Sequence, residues 1–237
     1  MNEQLLIDLC GEIGIHLNSH QVQCFSRYYE ELLIWNKKFN LTAIEDEQGV
    51  IVKHFLDSLL GSQVSGWNST GRLLDLGSGA GFPGVPLKIV FPDLQVTLVD
   101  SLQKRVRFLE HLIESLNLTG ITAIHKRAEE LGQDQEERES YDIVVSRAVA
   151  KLPVLCEFCL PLVRKGGIFL AYKGPEAHQE LENASKAIEI LGGERKELVE
   201  KHLPFNGGQR LLVVLEKIHD TPSKYPRKPG TAEKKPL

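Results

Sequence analysis

No stretch of ~18 apolar residues occurs in this chain of 237 residues, so no segment is expected to cross a membrane. The opening residues, Met1-Asn2-Glu3-Gln4, lack the basic and then apolar regions of an export signal, which points to the cytoplasm. Cysteine is scarce. The four, at 10, 24, 156 and 159, have no framework spacing and read as small buried thiols. Cys156-x-x-Cys159 has no second pair and no matching histidines, and His16 with His20 straddles a loop, so no metal is expected. Positive charge is not in excess either. A net charge of −4 excludes a polycation that coats nucleic acid by counterion release, although basic residues cluster at 104–107 and in the last residues.

Hydrophobic residues make up 42% of the chain, ample for a core. One stretch organises the rest: Arg72-Leu73-Leu74-Asp75-Leu76-Gly77-Ser78-Gly79-Ala80-Gly81-Phe82-Pro83-Gly84. It reads as a short apolar strand carrying one carboxylate, a loop rich in glycine, and then a helix opening at Pro86. Without Cβ, such a loop lets a ligand lie on the main chain, and the helix start that follows is expected to offer unpaired N–H groups.

The stretch fits two frames. Gly79-x-Gly81-x-x-Gly84 matches the dinucleotide fingerprint, with Asp100 about 20 residues on. In that fold, however, the first glycine closes the strand directly, whereas here the strand closes at Gly77. Asp75-x-Gly77-x-Gly79-x-Gly81 instead resembles motif I of S-adenosylmethionine-dependent methyltransferases, which makes Asp75 a candidate cofactor-binding residue along with the glycines. No Gly-Lys-Ser/Thr follows, which excludes a Walker loop.

Residues 1–66 read as an N-terminal helical cap. Leu5, Leu6, Leu9 and Ile13 share one face, Asn18 or Ser19 caps a second helix, and Asp46 caps a third that turns Val50, Ile51, His54, Phe55, Leu59 and Leu60 inward. Residues 67–217 alternate strands and helices. Apolar runs near 73–76, 96–99, 121–124, 143–145, 168–171, 195–202 and 209–216 predict a doubly wound, mostly parallel seven-stranded α/β sheet. The short connection through Leu203-Pro204-Phe205-Asn206-Gly207-Gly208 makes the last two strands a hairpin. Residues 218–237 are basic and rich in proline, with no regular structure expected.

Ligands in such a sheet sit at the carboxyl ends of the strands. That rule selects the loop at Gly77 and Gly79, Asp100 as acceptor for a ribose diol, Ala128 with Glu129 for an adenine edge, and Ser146-Arg147-Ala148 beside the emerging methyl. Absences narrow the reaction. The fourth strand is not followed by Asn/Asp-Pro-Pro-aromatic, and there is no Pro-Cys nucleophile, so amine and carbon methylation are disfavoured. A ring nitrogen such as guanine N7 needs only in-line placement and no general base.

Several strings taken together resemble the RsmG (GidB) family of bacterial small-subunit ribosomal RNA guanine-N7 methyltransferases. They are Trp35-Asn36 through Asn40-Leu41-Thr42, His54-x-x-Asp57-Ser58, Asp75 to Gly84, Asp100-Ser101 with Lys104-Arg105, Ser146-Arg147-Ala148, Lys173-Gly174, and Tyr225-Pro226-Arg227-Lys228-Pro229-Gly230. The resemblance implies S-adenosylmethionine as cofactor and small-subunit ribosomal RNA or the 30S particle as partner. It places Gly77, Phe82, Asp100, Ala128, Glu129 and Arg147 in the cofactor pocket. It gives His54 and the basic tail RNA-facing roles, with Lys104, Arg105, Lys173, Arg210 and Arg227 as candidates for phosphate contact. Two other readings stand beside it: a dinucleotide-dependent oxidoreductase, and a non-catalytic RNA-binding or assembly module.

Overall fold

The computed structural model describes residues 1–237. Its seven strands are β1 (Arg72–Leu76), β2 (Gln95–Asp100), β3 (Ile121–His125), β4 (Tyr141–Arg147), β5 (Val163–Lys173), β6 (Gly193–Leu203) and β7 (Gly208–Lys217). They form one sheet in the order β3-β2-β1-β4-β5-β7-β6. Neighbours among β1 to β5 run parallel, while β7 lies antiparallel to both β5 and β6. The expected hairpin is therefore present, with its second strand inserted next to β5.

Ten α-helical segments surround the sheet. Before it come α1 (Glu3–Glu12), α2 (Ser19–Phe39), α3 (Glu47–Val50), a π-helical turn (Ile51–Leu56) and α4 (Asp57–Leu59). Between the strands lie α5 (Gly84–Val90), α6 (Gln103–Ser115), α7 (Ala128–Gln133), α8 (Leu152–Cys159) and α9 (Ala177–Ile190), and α10 (Thr231–Lys234) ends the chain.

The period of two along each strand divides the apolar residues between two cores. Leu73, Ile143, Val145, Ile168, Leu170, Leu212 and Val214 join the core that holds Leu6, Leu9, Phe25, Tyr28 and Leu32 of α1 and α2. Leu74, Leu76, Val144, Phe169, Ala171, Val213 and Leu215 join the other, with Leu155 and Cys159 of α8 and Leu181 and Ala184 of α9. Covered on both faces, the central strands read as continuous apolar runs. The N-terminal helices thus pack on one sheet face and share its core.

Local chemistry explains the ends of α2. Asn18 accepts from the Gln21 N–H at 2.9 Å while the Gln21 side chain accepts from the Asn18 N–H at 3.0 Å, a reciprocal cap. Asn40, in the left-handed region at φ 49°, stops the helix. The third predicted helix differs from expectation. Asp46 caps it, accepting from the Gly49 N–H at 2.7 Å, but residues Ile51–Leu56 widen into a π turn.

After β7 the chain has no regular structure until the short α10, where none was expected, yet the whole segment is pinned to the fold. Arg138 donates to the carbonyls of Thr221 at 2.6 Å and Tyr225 at 2.7 Å, and Tyr225 is buried. A proline-rich strand of chain that cannot pair its own backbone is held here by side chains from distant elements.

Candidate functional site

Strand order reverses between β1 and β4, so a crevice opens at their carboxyl ends. The glycine loop forms one wall. The N–H groups of Gly77 and Ser78 donate to the Val99 carbonyl at 2.8 and 3.0 Å, folding the loop back over β2. The Gly79 N–H donates to Asp100 Oδ2 at 2.9 Å. Gly77 sits at φ 76° and Gly79 at φ 59°, where a side chain is strained. A Cβ on Gly77 would stand 2.3 Å from Val149 Cγ2, whereas one on Gly79 would meet nothing nearer than 3.9 Å. The main chain is thus exposed to the crevice at Gly79 and closely roofed at Gly77.

Asp75 acts from behind the loop. Its carboxylate is fully buried, and Oδ2 accepts from the Gly84 N–H at 2.8 Å, while Oδ1 has no partner. Burial pushes its carboxyl up to about 7, opposed by the Gly84 N–H and the charge of Arg147. This corrects two expectations. Asp75 shapes the loop from the core side rather than lining a cavity, and the Gly84 N–H of α5 is satisfied internally rather than offered to a ligand.

Two cavities meet at Gly77. One, of about 120 Å³, runs from Gly77 and Asp100 to Lys126, Ala128 and Glu129. The other, of about 160 Å³, is lined by Thr42, His54, Gly79, Phe82, Arg105 and Arg147 among others. A third, wider cavity of about 430 Å³ shares His54, Arg147 and Ala148 with the second and adds Lys53, Tyr172, Lys173, Glu180 and Arg210.

The floor between the second and third cavities is a buried charge cluster. Asp57, on α4, is fully buried and accepts from Arg147 Nη1 at 2.8 Å and Arg210 Nε at 2.6 Å. Arg147 Nη1 also donates to the Lys53 carbonyl at 3.0 Å, and its guanidinium lies 5.1 Å from the centre of the Phe82 ring. The His54 ring stacks on Phe82 at 4.5 Å, and His54 Nε2 lies 2.8 Å from Thr42 Oγ1. Burial, then the charge of Arg147, pushes His54 down to about 3, so the imidazole is neutral at physiological pH. Thr42 Oγ1 accepts from the Ile44 N–H at 3.1 Å, leaving its own hydrogen for His54 Nε2. Nδ1 faces the Lys53 carbonyl at 3.0 Å and the donor Arg147 Nη2 at 3.3 Å; the shorter contact is to an acceptor, so we assign the proton of the neutral ring to Nδ1.

Comparison with known proteins shows the family. The family described as rRNA small subunit methyltransferase G (GidB) matches residues 21–213. The chain belongs to this family. Ribosomal RNA small subunit methyltransferase G of Alkaliphilus metalliredigens is 50% identical over 236 residues, covering 100% of this chain and 99% of that protein. The Bacillus cereus (strain B4264) protein of the same name is 49% identical over 237 residues, with 100% and 99% covered. Among solved structures, M. jannaschii TYW2 in complex with AdoMet superposes with a TM-score of 0.56 at 17% identity, over 74% of this chain and 80% of that one. The YcgJ protein of Bacillus subtilis gives 0.54 at 14% identity, over 70% and 100%. At these identities the likeness is one of fold, and it matches the doubly wound sheet described above.

Within this GidB-family fold, Gly77, Asp100, Ala128 and Glu129 line the first cavity, and Gly77, Gly79, Phe82, Arg105, His54 and Arg147 line the second. Asp100 is more engaged than expected. Besides Gly79, its carboxylate accepts from the Leu102 N–H at 2.9 Å and Arg105 Nη1 at 3.3 Å. Three of the four lone-pair positions of the carboxylate are therefore taken, one of them by the long Arg105 contact. Lys173 and Arg210 reach the third cavity, but their charges are paired, Lys173 with Glu180 at 2.7 Å and Arg210 with Asp57. Arg227 lies apart from all three, its Nε 2.8 Å from Oε1 of buried Glu157. Lys104 is exposed, its ammonium touching only the Phe39 carbonyl, at 3.3 Å.

The sequence reading missed Lys53, Val149, Phe158 and Glu233 as lining residues. Val149 could have been found from its place directly after Arg147-Ala148. Phe158 and Glu233 carry no local signal. The four cysteines are buried free thiols, and burial pushes Cys156 and Cys159 well above the usual thiol range. No helix is long and apolar enough to cross a membrane.

Proposed function

We propose that this chain transfers a methyl group from S-adenosylmethionine to a guanosine of small-subunit ribosomal RNA, at the N7 ring nitrogen, and does so in the cytoplasm on free RNA or the 30S particle. The observation that carries this reading is a chain of three cavities: the two narrow ones share Gly77 of the glycine loop, and the second of them shares His54, Arg147 and Ala148 with the wide third.

The narrow pair fits a cofactor built of a nucleoside and an amino acid. Asp100, Ala128 and Glu129 suit the nucleoside, and the bare main chain at Gly79 with the cleft beside Phe82 suits the amino-acid part. When bound there, S-adenosylmethionine supplies an electrophilic methyl group. Arg147, fixed by Asp57 and by Phe82, forms the threshold between the two spaces. The wide cavity, of about 430 Å³, has room for a purine and is edged by Lys53, Lys173 and Arg210. With Lys173 paired to Glu180 and Arg210 to Asp57, Lys53 is the cation there without a carboxylate partner, and it suits a nucleotide whose phosphate must be held.

The protonation states agree with a ring nitrogen as acceptor. N7 carries an in-plane lone pair and loses no proton, so the site needs placement rather than a base. His54, neutral and hydrogen-bonded to Thr42, serves to hold the second cavity's shape against Phe82.

The test is nucleoside mass spectrometry of small-subunit ribosomal RNA from a deletion strain. Loss of one N7-methylguanosine, restored by the wild-type gene and not by Arg147→Ala, is expected. An unchanged level would leave only an assembly or RNA-binding role. Calorimetric titration separates the dinucleotide reading: binding of S-adenosylhomocysteine without binding of NAD is expected.

A further inference from the structure

We propose that the C-terminal segment from Tyr225 to Lys234 forms the outer wall of the nucleoside end of the cofactor site, with Glu233 facing the bound nucleoside. The proposal rests on the methyl-donor reading above and extends it to a part of the chain outside the sheet.

Three observations converge. First, Glu233 of α10 lines the same cavity of about 120 Å³ as Gly77, Asp100, Ala128 and Glu129. Second, the segment shares a carboxylate with that cavity. The Gly230 N–H donates to Glu129 Oε1 at 3.0 Å, and Glu129 is 5% exposed. Third, its fastening point adjoins the cavity. Glu157, 1% exposed, accepts from the Arg227 N–H and from Arg227 Nε, each at 2.8 Å, while the next residue, Phe158, lines the cavity.

The surroundings are shaped to receive the segment. A Cβ on Gly132 of α7 would stand 2.7 Å from Pro226 Cγ, so the strap packs where α7 has no side chain. Gln133 Nε2 donates to the Pro226 carbonyl at 2.8 Å, and Ala232 is 2% exposed in the core beneath α8. Elsewhere the strap stands off α7 across a polar cavity of about 340 Å³ lined by Glu129, Glu130, Gln133, Arg227 and Lys228. It is fastened at points rather than along its length.

Chemistry gives the wall a selective role. With Glu233, the cavity presents three carboxylates, Asp100, Glu129 and Glu233, beside Lys126 and Arg127. Lys126 is paired with Asp134 at 2.6 Å, and Arg127 Nε lies 3.7 Å from Glu129. Acceptors of this kind match the hydroxyl and amine donors of a nucleoside and disfavour a terminal phosphate. Because strap and ligand touch the same carboxylate and cavity, each stabilises the other's position, and the coupling is reciprocal.

The experiment uses the full chain with S-adenosylhomocysteine as probe. Calorimetry and stopped-flow dissociation are compared for wild type, Glu233→Ala and Ala232→Asp. The first substitution lies on an exposed turn and leaves packing unchanged, and the second drives α10 off the core. Both are expected to weaken affinity by about fivefold or more, mainly through faster dissociation. In wild type, saturating ligand is expected to slow tryptic cleavage after Arg227, which requires the Arg227–Glu157 pair to open, by a similar factor. Equal affinity and dissociation in wild type and Glu233→Ala, with cleavage after Arg227 indifferent to the ligand, would overturn the proposal. Failure of wild type itself to bind the probe would instead overturn the methyl-donor reading on which the wall depends.

Discussion

Asp57 and Arg147 meet at 2.8 Å in the interior, one at the end of the π turn before the sheet and the other at the end of β4, 90 residues later. Neither charge has an alternative in water, since Asp57 is fully buried and the Arg147 side chain is 12% exposed. Arg210 completes the cluster from β7. Removing the shared carboxylate leaves two guanidinium groups facing each other without a counter-charge. Asp57→Ala should therefore lower unfolding stability by about 3 kcal/mol or more, read as a fall in the urea midpoint at unchanged slope. A loss below 1 kcal/mol would mean that the cluster contributes little to holding the site.

Gly77→Ala is expected to cut affinity for S-adenosylhomocysteine by roughly tenfold or more. The new methyl meets Val149 Cγ2 at 2.3 Å and the backbone is at φ 76°, so the roof of the loop must shift. Calorimetry on the folded variant, with circular dichroism to confirm the fold, reads the effect. Gly174→Ala, where a Cβ meets nothing within 4 Å, is the control and should bind as wild type.

His54 makes a prediction about pH. It titrates near 6.5 in the unfolded chain and at about 3 in the folded protein, so between those values only the unfolded chain takes up the proton. Its stabilising contribution is complete above pH 6.5 and is lost as pH falls toward 3. His54→Gln should remove this dependence, giving a wild-type-minus-variant difference that changes by a few kcal/mol, on the order of 1.4 per pH unit at its steepest. Asp75 acts in the opposite direction. Its carboxyl is raised from 3.8 to about 7, so stability falls as pH rises through that window. The difference between the two proteins, measured by urea unfolding at each pH, cancels that term.

Lys104→Ala should weaken RNA binding and lower the slope of log affinity against log salt by about 1, with cofactor affinity unchanged. The ammonium is exposed and makes only a 3.3 Å contact to the Phe39 carbonyl, so no buried partner is orphaned. An unaltered salt slope would remove Lys104 from the RNA-facing surface.

The sheet was readable from the sequence because both of its faces are covered. Apolar runs such as Ile168 to Ala171 between turn signals mark central strands, and the Pro204 to Gly207 link is too short for anything but a hairpin. The strand-end rule likewise led to Asp100, Glu129 and Arg147, since position after a strand is itself the signal. What escaped depends on distance along the chain. Glu157 and Arg227 are 70 residues apart and Glu129 and Gly230 are 101 apart, and nothing near either partner announces the other. The π turn escaped for a different reason. Ile51 to Leu56 has the composition of any buried helix, and the widening appears only where its residues meet Arg147 and Phe82.

The place of β7 between β5 and β6 has a consequence for how the protein comes into being. On a ribosome, β6 emerges first yet has no neighbour in the finished sheet except β7, and Arg210, which closes the charge cluster on Asp57 across 153 residues, arrives on that same last strand. A nascent chain that has exposed everything up to residue 207 holds a glycine loop but not the completed floor of the wide cavity. Synthesis therefore delivers Arg210, and with it the floor of the wide cavity, only after the glycine loop and the strands β1 to β6 have emerged.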